Sequence, residues 1–262
     1  MTVARHRAAP GLLRASVIEL ADLVLRRECA GCGRARTSWC PDCGRGLQGA
    51  PTARRLAPLG PGTTGLTVWS TASYRDEVRA GVVAWKDRGR ADLTPVLAQA
   101  LRRAVLAAVA DLADTGDRLL LVPAPSSRRT RRARGRDPVR DLARCCAGRL
   151  RRRGLDVLVL PALSQARRVQ DQAGLGADER QQNLSGALRV LPAWGRLLRG
   201  RECLVVDDVV TTGATLLDCV RALDEAGATV RAAATVAATV RRDGRQVLRP
   251  SHGRPMSRSV GP

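Results

Sequence analysis

The feature that most restricts the fold is an alternation of short apolar segments with longer helical segments after residue 65. The apolar segments have the length and composition of strands, and they span residues 66–74, 118–123, 155–160, 202–208 and 229–240. The helical segments span residues 76–88, 93–112, 138–153 and 215–226. Strands that alternate with helices imply crossover connections. The sequence therefore predicts an α/β fold, with a mostly parallel sheet and helices on both of its faces.

The remaining segments are separated by changes in composition. Apolar residues at helical spacing predict an amphipathic helix before the first cysteine, and they are Leu13, Val17, Leu20 and Val24. A stretch rich in Pro, Gly and Thr indicates a linker, and a polar end rich in Pro, Gly and Ser predicts a disordered tail. The predicted division is an N-terminal helix at 1–28, a small zinc-binding module at 29–48, a linker at 49–65, the α/β domain at 66–240 and the tail at 241–262.

Charge is the second constraint, because the chain has a formal net charge of +21. Almost all of the excess is arginine, since Lys86 is the only lysine. Such an excess predicts attraction to polyanions, while a solvated arginine surface is the more common alternative. An aromatic content of 2% argues against a nucleic-acid reader that stacks bases on its side chains.

The apolar content does not predict a membrane protein. No run of about 18 apolar residues occurs, so we predict no membrane span. The apolar stretch at 12–25 is interrupted by Arg14, Glu19 and Asp22, which spoils a signal-peptide core. We therefore expect a cytoplasmic protein, in which structural disulfides are uncommon.

Four cysteines form the pattern C-x2-C-x7-C-x2-C, and they are Cys29, Cys32, Cys40 and Cys43. Two such pairs offer four thiolates, which favour a closed tetrahedral zinc site with a structural role. The alternative is a set of unliganded thiols or a redox pair. The other cysteines lack partner spacing and are predicted to be small buried hydrophobic residues: Cys145, Cys146, Cys203 and Cys219.

Several common catalytic patterns are excluded. The segment GRGLQG at 44–49 matches G-x-G-x-x-G but follows a cysteine pair instead of a strand, so it lacks the context of a dinucleotide site. Lys86 is not part of a Gly-Lys-Ser/Thr motif, which excludes a P-loop. The two histidines, His6 and His252, lie near the chain ends, so a catalytic unit that needs a rigidly held histidine is not expected.

The segment CLVVDDVVTTGAT at 203–215 offers chemistry that needs no histidine. Its apolar residues predict a buried strand, so Asp207 and Asp208 are expected at the carboxyl edge of the sheet. Residues 209–214 are predicted to turn into a helix and to bind a phosphate through backbone N–H groups and threonine hydroxyls. The carboxylates would accept hydrogen bonds from a sugar diol, so the spacing fits a ribose 5-phosphate. The alternative is an ordinary strand that ends in a solvated Asp-Asp turn.

This string also resembles the phosphoribosyl pyrophosphate (PRPP) signature of type I phosphoribosyltransferases. Together with the four-cysteine pattern, three further segments are similar to the ComF family, whose competence-associated members are phosphoribosyltransferase-like. These segments are YRDEVRAGVVAWKDRGR, LLLVPAPSSRRTRRARGRD and QAGLGADERQQNLSGAL, and the resemblance covers roughly residues 29–240. It implies a type I phosphoribosyltransferase fold with an N-terminal zinc module.

The resemblance also implies roles for individual residues. Asp207 and Asp208 would hold the ribose hydroxyls. The 5-phosphate would be held by Val209, Val210, Thr211, Thr212, Gly213, Ala214 and Thr215. Pyrophosphate would meet Pro123, Ala124, Pro125, Ser126 and Ser127, with Arg128, Arg129 and Arg134 as candidate anion donors. Lys86, Gln172, Arg180 and Asn183 match further family positions, although Arg134 and Lys86 are equally compatible with ordinary surface residues.

One segment departs from the family pattern. Where the family commonly has Arg-Gly-Phe-Asn-Gln, this chain has Arg134-Gly135-Arg136-Asp137-Pro138. The difference removes the expected acceptor-side residues, and Pro138 is predicted to start the next helix.

The resemblance implies that the protein binds PRPP with magnesium and transfers phosphoribose to a nitrogenous base, with release of pyrophosphate. By family it is associated with competence and DNA uptake. A non-catalytic scaffold that senses PRPP or docks DNA-uptake proteins is the first alternative. The second is binding of nucleic acid, such as single-stranded DNA, through the zinc module and the arginines of 128–136.

Overall fold

The structure is a computed structural model, and it describes residues 28–58, 65–112, 118–126, 135–165 and 186–239. The predicted N-terminal helix and C-terminal tail lie outside these residues, apart from Glu28.

A six-stranded sheet forms the centre of the described fold. Its strands are β1 (Thr52–Leu56), β2 (Leu66–Ser73), β3 (Leu119–Pro123), β4 (Val157–Val159), β7 (Glu202–Val210) and β8 (Thr229–Ala238). Their order is β1-β2-β8-β7-β3-β4, and every neighbouring pair is parallel except β1 with β2. A separate antiparallel pair is formed by β5 (Leu163–Gln165) and β6 (Leu188–Val190). The predicted mostly parallel sheet is confirmed, while β5, β6 and the sheet position of β1 were not predicted.

Helices cover both faces of this sheet. They are α1 (Pro41–Arg45), α2 (Asp76–Asp87), α3 (Thr94–Ala110), α4 (Pro138–Arg151), α5 (Pro192–Leu198) and α6 (Ala214–Glu225). Buried residues of α2, α3 and α4 share one core with Leu204 and Val206 of β7. The other core joins α5 and α6 to Cys203 and Val205 of the same strand. Because successive strand residues point to opposite faces, β7 is buried on both sides, which explains its continuous apolar run.

Helix α3 is long and apolar, and it corresponds to the helical segment predicted at 93–112. With the preceding turn it spans Ala91–Ala110, and by length and composition this stretch could cross a membrane. Half of it is buried, and it packs against β2, β8 and α4. A core helix of an α/β domain meets the same criteria, so the stretch is weak evidence for a membrane span.

Part of the predicted linker is a strand. Residues 52–56 form β1, which pairs with β2 from Thr52 opposite Ser70 to Leu56 opposite Leu66. Ala53 and Leu56 are buried beneath this pairing, and their contacts with the domain core give the segment its structure. The Pro and Gly residues on either side of β1 obscured it in the sequence.

A buried carboxylate fastens the β5–β6 pair to helix α6. Asp218 accepts hydrogen bonds from the backbone N–H of Gly186 at 2.9 Å and of Leu188 at 2.8 Å. The guanidinium of Arg221 donates to Asp218 at 2.7 Å and to the Leu188 carbonyl at 2.7 Å. The side chain of Asp218 is only 2% exposed, so these donors compensate its burial.

Replacing Asp218 by Ala should lower the free energy of unfolding by about 3 kcal/mol, because Arg221 and two backbone donors lose a buried acceptor. Urea denaturation measures the difference. The control is Glu202→Ala, which removes an exposed ion pair with Arg231 and should cost less than about 1 kcal/mol. Equal costs for the two variants would contradict a special role of the buried carboxylate.

Candidate functional site

The two adjacent aspartates lie within strand β7 and point to opposite faces of the sheet. The strand continues to Val210, so the prediction that the turn begins at Val209 was wrong. Val209 and Val210 stay in the strand because β8 pairs with them as far as Ala238. Since side chains alternate along a strand, Asp207 shares the face of α6 while Asp208 shares the face of α2.

Asp208 is paired with Lys86 of helix α2. The Lys86 Nζ donates to Oδ1 of Asp208 at 2.9 Å and lies 2.7 Å from Oδ2. The Asp208 side chain is 3% exposed and the Lys86 side chain 35%. Burial lowers the pKa of Lys86, but the nearby carboxylates of Asp208 and Asp207 outweigh it and raise that pKa above its ordinary value. Lys86 is therefore a charged partner of the site.

Asp207 has a different environment. Its Oδ1 accepts a hydrogen bond from the backbone N–H of Asp208 at 2.8 Å. Although part of the residue reaches solvent, its carboxyl is densely surrounded by protein, and this burial raises its pKa well above the usual 3.8. The charge of Asp208 raises this pKa further, while Lys86 opposes the shift. The two aspartates therefore differ: Asp208 forms an ion pair with Lys86, whereas the carboxyl of Asp207 resists ionisation.

A three-residue turn, Thr211–Gly213, connects β7 to helix α6. Gly213 has a φ of 90° and precedes the first helical residue, Ala214. A Cβ at Gly213 would lie 2.3 Å from a methyl carbon of Leu56, so both the backbone angle and the packing require glycine. The Thr212 hydroxyl accepts from the Ala214 N–H at 3.3 Å. Free N–H groups at a helix N-terminus suit a phosphate, and the threonine hydroxyls lie beside them.

Strand β1 supports this turn, which the sequence did not predict. The Arg54 guanidinium donates to the Thr211 carbonyl at 2.8 Å, and the Thr239 hydroxyl lies 3.4 Å from the same oxygen. With Leu56 against Gly213, these contacts fix the turn from the side of β1 and β8. Long-range contacts of this kind leave no signal in a local motif.

The end of β3 lies beside the part of β7 that directly precedes the two aspartates, as a pyrophosphate-binding loop would require. Pro123 is the register partner of Val206, and the Ala124 N–H donates to the Val206 carbonyl at 2.9 Å. A cavity of about 180 Å³ opens here, and its lining includes Pro123, Ala124, Pro125, Asp137, Arg140 and Ser164. Ser126 is described and donates to Asp137 at 3.4 Å.

Several predicted residues lie outside the described part of the chain. They are Ser127, Arg128, Arg129, Arg134, Gln172, Arg180 and Asn183. For the departing segment, Pro138 does begin helix α4, with Asp137 as its N-cap, which confirms that prediction. Arg136 lies over the Trp85 ring, 5.7 Å from the centroid, and donates to the Trp85 carbonyl. Its cation therefore binds the same helix that carries Lys86.

The four cysteines come together as predicted. The Sγ atoms of Cys29, Cys32, Cys40 and Cys43 all lie within 4.8 Å of one another, and those of Cys32 and Cys40 are 3.6 Å apart. A tetrahedral zinc with Zn–S bonds of about 2.3 Å separates its sulfurs by about 3.8 Å, so the cluster could bind zinc.

Backbone donors prepare these sulfurs for a metal. The Cys40 N–H donates to the sulfur of Cys29 at 3.3 Å, and the Cys43 N–H donates to the sulfur of Cys40 at 3.5 Å. Burial raises the pKa of the Cys29 thiol, but backbone donors, of which Cys40 is the strongest, outweigh it and lower that pKa to about 6. Burial and hydrogen bonds with the other cysteines raise the pKa of Cys43 in the same cluster. Cys29 therefore offers a thiolate at neutral pH, which is the form that binds metal.

Comparison with known proteins also indicates a similarity to phosphoribosyltransferases. A model of the phosphoribosyl transferase domain matches residues 163–250. The matched range contains β7, the turn, α6 and β8, which form the proposed ribose and phosphate site. The chain therefore combines a mostly parallel α/β sheet, part of which matches the phosphoribosyl transferase domain, with a four-cysteine group before it.

Two curated relatives are similar over a shorter stretch. They are adenine phosphoribosyltransferases of Mycobacterium avium (strain 104) and of Mycolicibacterium paratuberculosis (strain ATCC BAA-968 / K-10), each 47% identical over 60 residues. Each match covers 23% of this chain and 33% of the relative, so the chain matches about a third of the length of these relatives.

The cysteine cluster predicts a metal content that can be measured directly. Native mass spectrometry should find one zinc ion per chain in the wild type and none in Cys29→Ala, because three thiolates hold zinc much less tightly. Cys145→Ala is the matched control, since this cysteine lies outside the cluster, and it should retain the metal. A wild-type protein without metal would contradict the prediction.

The raised pKa of Asp207 predicts a pH-dependent cost in stability. Below about pH 4 the carboxyl is protonated in both the folded and the unfolded chain, so Asp207→Asn should change little. As the pH rises, only the unfolded chain ionises freely, and the wild type loses stability that the variant keeps. Thermal unfolding should therefore show Asp207→Asn to be more stable than the wild type at about pH 7. A gain that is independent of pH would contradict this explanation.

Proposed function

We propose that this protein binds PRPP at the carboxyl ends of β7 and β3, and transfers its phosphoribosyl group to a nitrogenous base with release of pyrophosphate. The observation that carries the proposal is the Asp207–Asp208 pair in β7, which the turn Thr211–Gly213 connects to the N-terminus of helix α6. These residues all lie within the range that matches the phosphoribosyl transferase domain. A diol and a phosphate separated by the length of a ribose fit this arrangement.

Each part of the site has a binding task. The Asp207 and Asp208 carboxyls accept hydrogen bonds from the ribose hydroxyls, and Lys86 keeps the charge of Asp208 matched before the ligand arrives. The turn Thr211–Gly213 and the first N–H groups of α6 hold the 5-phosphate. Residues 123–127 receive the pyrophosphate, and of these Pro123 and Ala124 lie beside β7.

The reaction needs positioning and charge stabilisation more than a proton-transfer residue. A nitrogen of the acceptor displaces pyrophosphate at C1 of the ribose, so a C–N bond forms as the C–O bond breaks. The leaving pyrophosphate takes the electron pair of the C–O bond, and the proton of the acceptor nitrogen passes to pyrophosphate or to water. Positive charge develops on the ribose ring in the transition state, and the neighbouring carboxylate stabilises it. This explains how a site in the described residues could work without a histidine.

Magnesium fits the donor chemistry of the site, because it prefers carboxylate and phosphate oxygens. Asp207 and Asp208 are the carboxyls of this chain that would help to hold it. When bound with PRPP, it would neutralise charge on the leaving pyrophosphate.

Roughly residues 29–240 further resemble the ComF family, through the four-cysteine pattern, the segment around Lys86 and the segments beginning at 119 and 172. We accordingly propose a structural zinc in the N-terminal module, a cytoplasmic location and a role associated with competence and DNA uptake. The relatives are named adenine phosphoribosyltransferases, but the match covers a third of their length, so the proposed acceptor class is a nitrogenous base in general.

The double variant Asp207→Ala with Asp208→Ala should abolish PRPP binding in isothermal titration calorimetry with magnesium, because the ribose hydroxyls lose both acceptors. Glu202→Gln is the control. It changes a carboxylate at the exposed, opposite end of the same strand, and its affinity should match the wild type. Unchanged affinity in the double variant, with fold and metal content intact, would refute the proposed site.

A non-catalytic scaffold that senses PRPP is the second candidate function. The replacement of the family's Phe-Asn-Gln by Arg136-Asp137-Pro138 favours it, because Asp137 and Pro138 here serve to begin helix α4. Pyrophosphate release measured across a panel of nucleobases separates the two functions. A transferase releases pyrophosphate with at least one base, whereas a scaffold binds PRPP and releases none.

A further inference from the structure

The cysteine module, defined here as residues 28–48, packs directly on the backbone of helix α2. A Cβ atom added to Gly81 of this helix would lie 2.4 Å from Cζ3 and 2.7 Å from Cη2 of Trp39. The indole ring therefore rests on the helix backbone, and even one methyl group at position 81 would displace it. Trp39 immediately precedes Cys40, whose sulfur belongs to the four-cysteine cluster.

The module approaches the first turns of α2 through two glycines of its own. A Cβ on Gly31 would lie 2.9 Å from the Cβ of Glu77, and a Cβ on Gly46 would lie 3.1 Å from Cγ2 of Val78. Gly31 also lies against the four-cysteine cluster, because the same added atom would be 2.7 Å from the sulfur of Cys43. The four-cysteine cluster and the helix therefore share one tightly packed boundary.

A polar contact ties the module to the chain just beyond α2. The Arg90 guanidinium donates to the Glu28 carbonyl at 3.1 Å, and Asp92 orients it through hydrogen bonds that include one of 2.9 Å. The module thus contacts the region of α2 near its start, near its middle and after its end.

Helix α2 connects this boundary to the proposed ribose site. Trp85 is fully buried, and its indole N–H donates to the Thr94 hydroxyl at 3.0 Å, so the helix cannot rotate freely. Lys86 follows Gly81 by five residues, or about 7.5 Å along the helix axis. Its ammonium reaches across to the buried carboxylate of Asp208.

We propose that the cysteine module is a support for α2 that positions Lys86 on Asp208, so that metal binding by the four cysteines controls the placement of charge beside the proposed ribose site. Lys86 is then a positioning residue, because it acts through Asp208. Only the consequence for ribose binding rests on the proposed function. The effect of metal binding on the position of Lys86 does not depend on it.

The link follows from what a metal does to this module. Four thiolates on one ion join the segment around Cys29 and Cys32 to the segment around Cys40 and Cys43. Without the ion, the two segments keep the backbone hydrogen bond from Ala30 to Ser38 and the exposed ion pair of Arg34 with Asp42. They lose the link through the buried cysteines Cys29, Cys40 and Cys43, against which Trp39 packs. Trp39 is then no longer held against Gly81, and α2 loses its packing contacts with the cysteine module.

The test uses the fact that Lys86 is the only lysine in the sequence. The full chain, grown with isotope-labelled lysine, gives one lysine side-chain signal in NMR, and that signal reports on Lys86 alone. We expect removal of zinc by a chelator to move this signal toward its position in Asp208→Asn, in which the ion pair is broken, and expect zinc to restore it.

Gly81→Ala provides the same test with all four cysteines present. It should retain zinc but shift the Lys86 signal, because its methyl group displaces Trp39. Gly148→Ala on α4 is the matched control. Outside its chain neighbours and the nearby backbone of its own helix, nothing lies within 4 Å of the added methyl, so the Lys86 signal should not move. Trp39→Ala removes the same contact by truncation, and it decides the matter if Gly81→Ala or the metal-free chain does not fold.

An unchanged Lys86 signal in the metal-free chain and in the Gly81 and Trp39 variants would overturn the proposal, as would an equal shift in Gly148→Ala. PRPP titration of the same samples separates this result from the proposed function. We expect zinc removal to weaken PRPP binding about tenfold. A wild type that binds no PRPP in either state would refute the proposed function, while the response of the lysine signal would still decide the link.

Discussion

The pairing of Asp208 with Lys86 is the interaction on which much of the site depends. A carboxylate that is 3% exposed loses most of its hydration, and a nearby ammonium offsets that loss. The strand that carries Asp208 is fixed in the centre of the sheet, so the cation must come from outside it. Helix α2 supplies it, and α2 in turn is held between the domain core and the cysteine module.

The same strand explains why the two aspartates are not equivalent. Asp207 faces α6, and its pKa is raised by burial and by the charge of its neighbour. Asp208 faces α2 and meets a cation there. One strand therefore presents two carboxyls of different electrostatic character at the same sheet edge, which suits a ligand that carries both hydroxyls and phosphates.

Contacts distant in sequence complete the site. Strand β1 reaches the turn after β7 through Arg54 and Leu56, although it lies in a segment whose composition resembles a linker. Arg136 lies over the Trp85 ring, next to Lys86. In both cases an arginine that the sequence would assign to the surface instead holds part of the site in place.

The sequence by itself determined the alternation of strands and helices, the four-cysteine cluster and the acidic pair before a small turn, because each depends on local spacing or on an apolar run. Only the tertiary structure decided that β7 runs on to Val210, that Asp207 and Asp208 face opposite sides, and that Lys86 belongs to Asp208. Strand length is set by the pairing with β8, and the ion pair joins residues 122 positions apart. Such contacts arise from packing, which no short motif encodes.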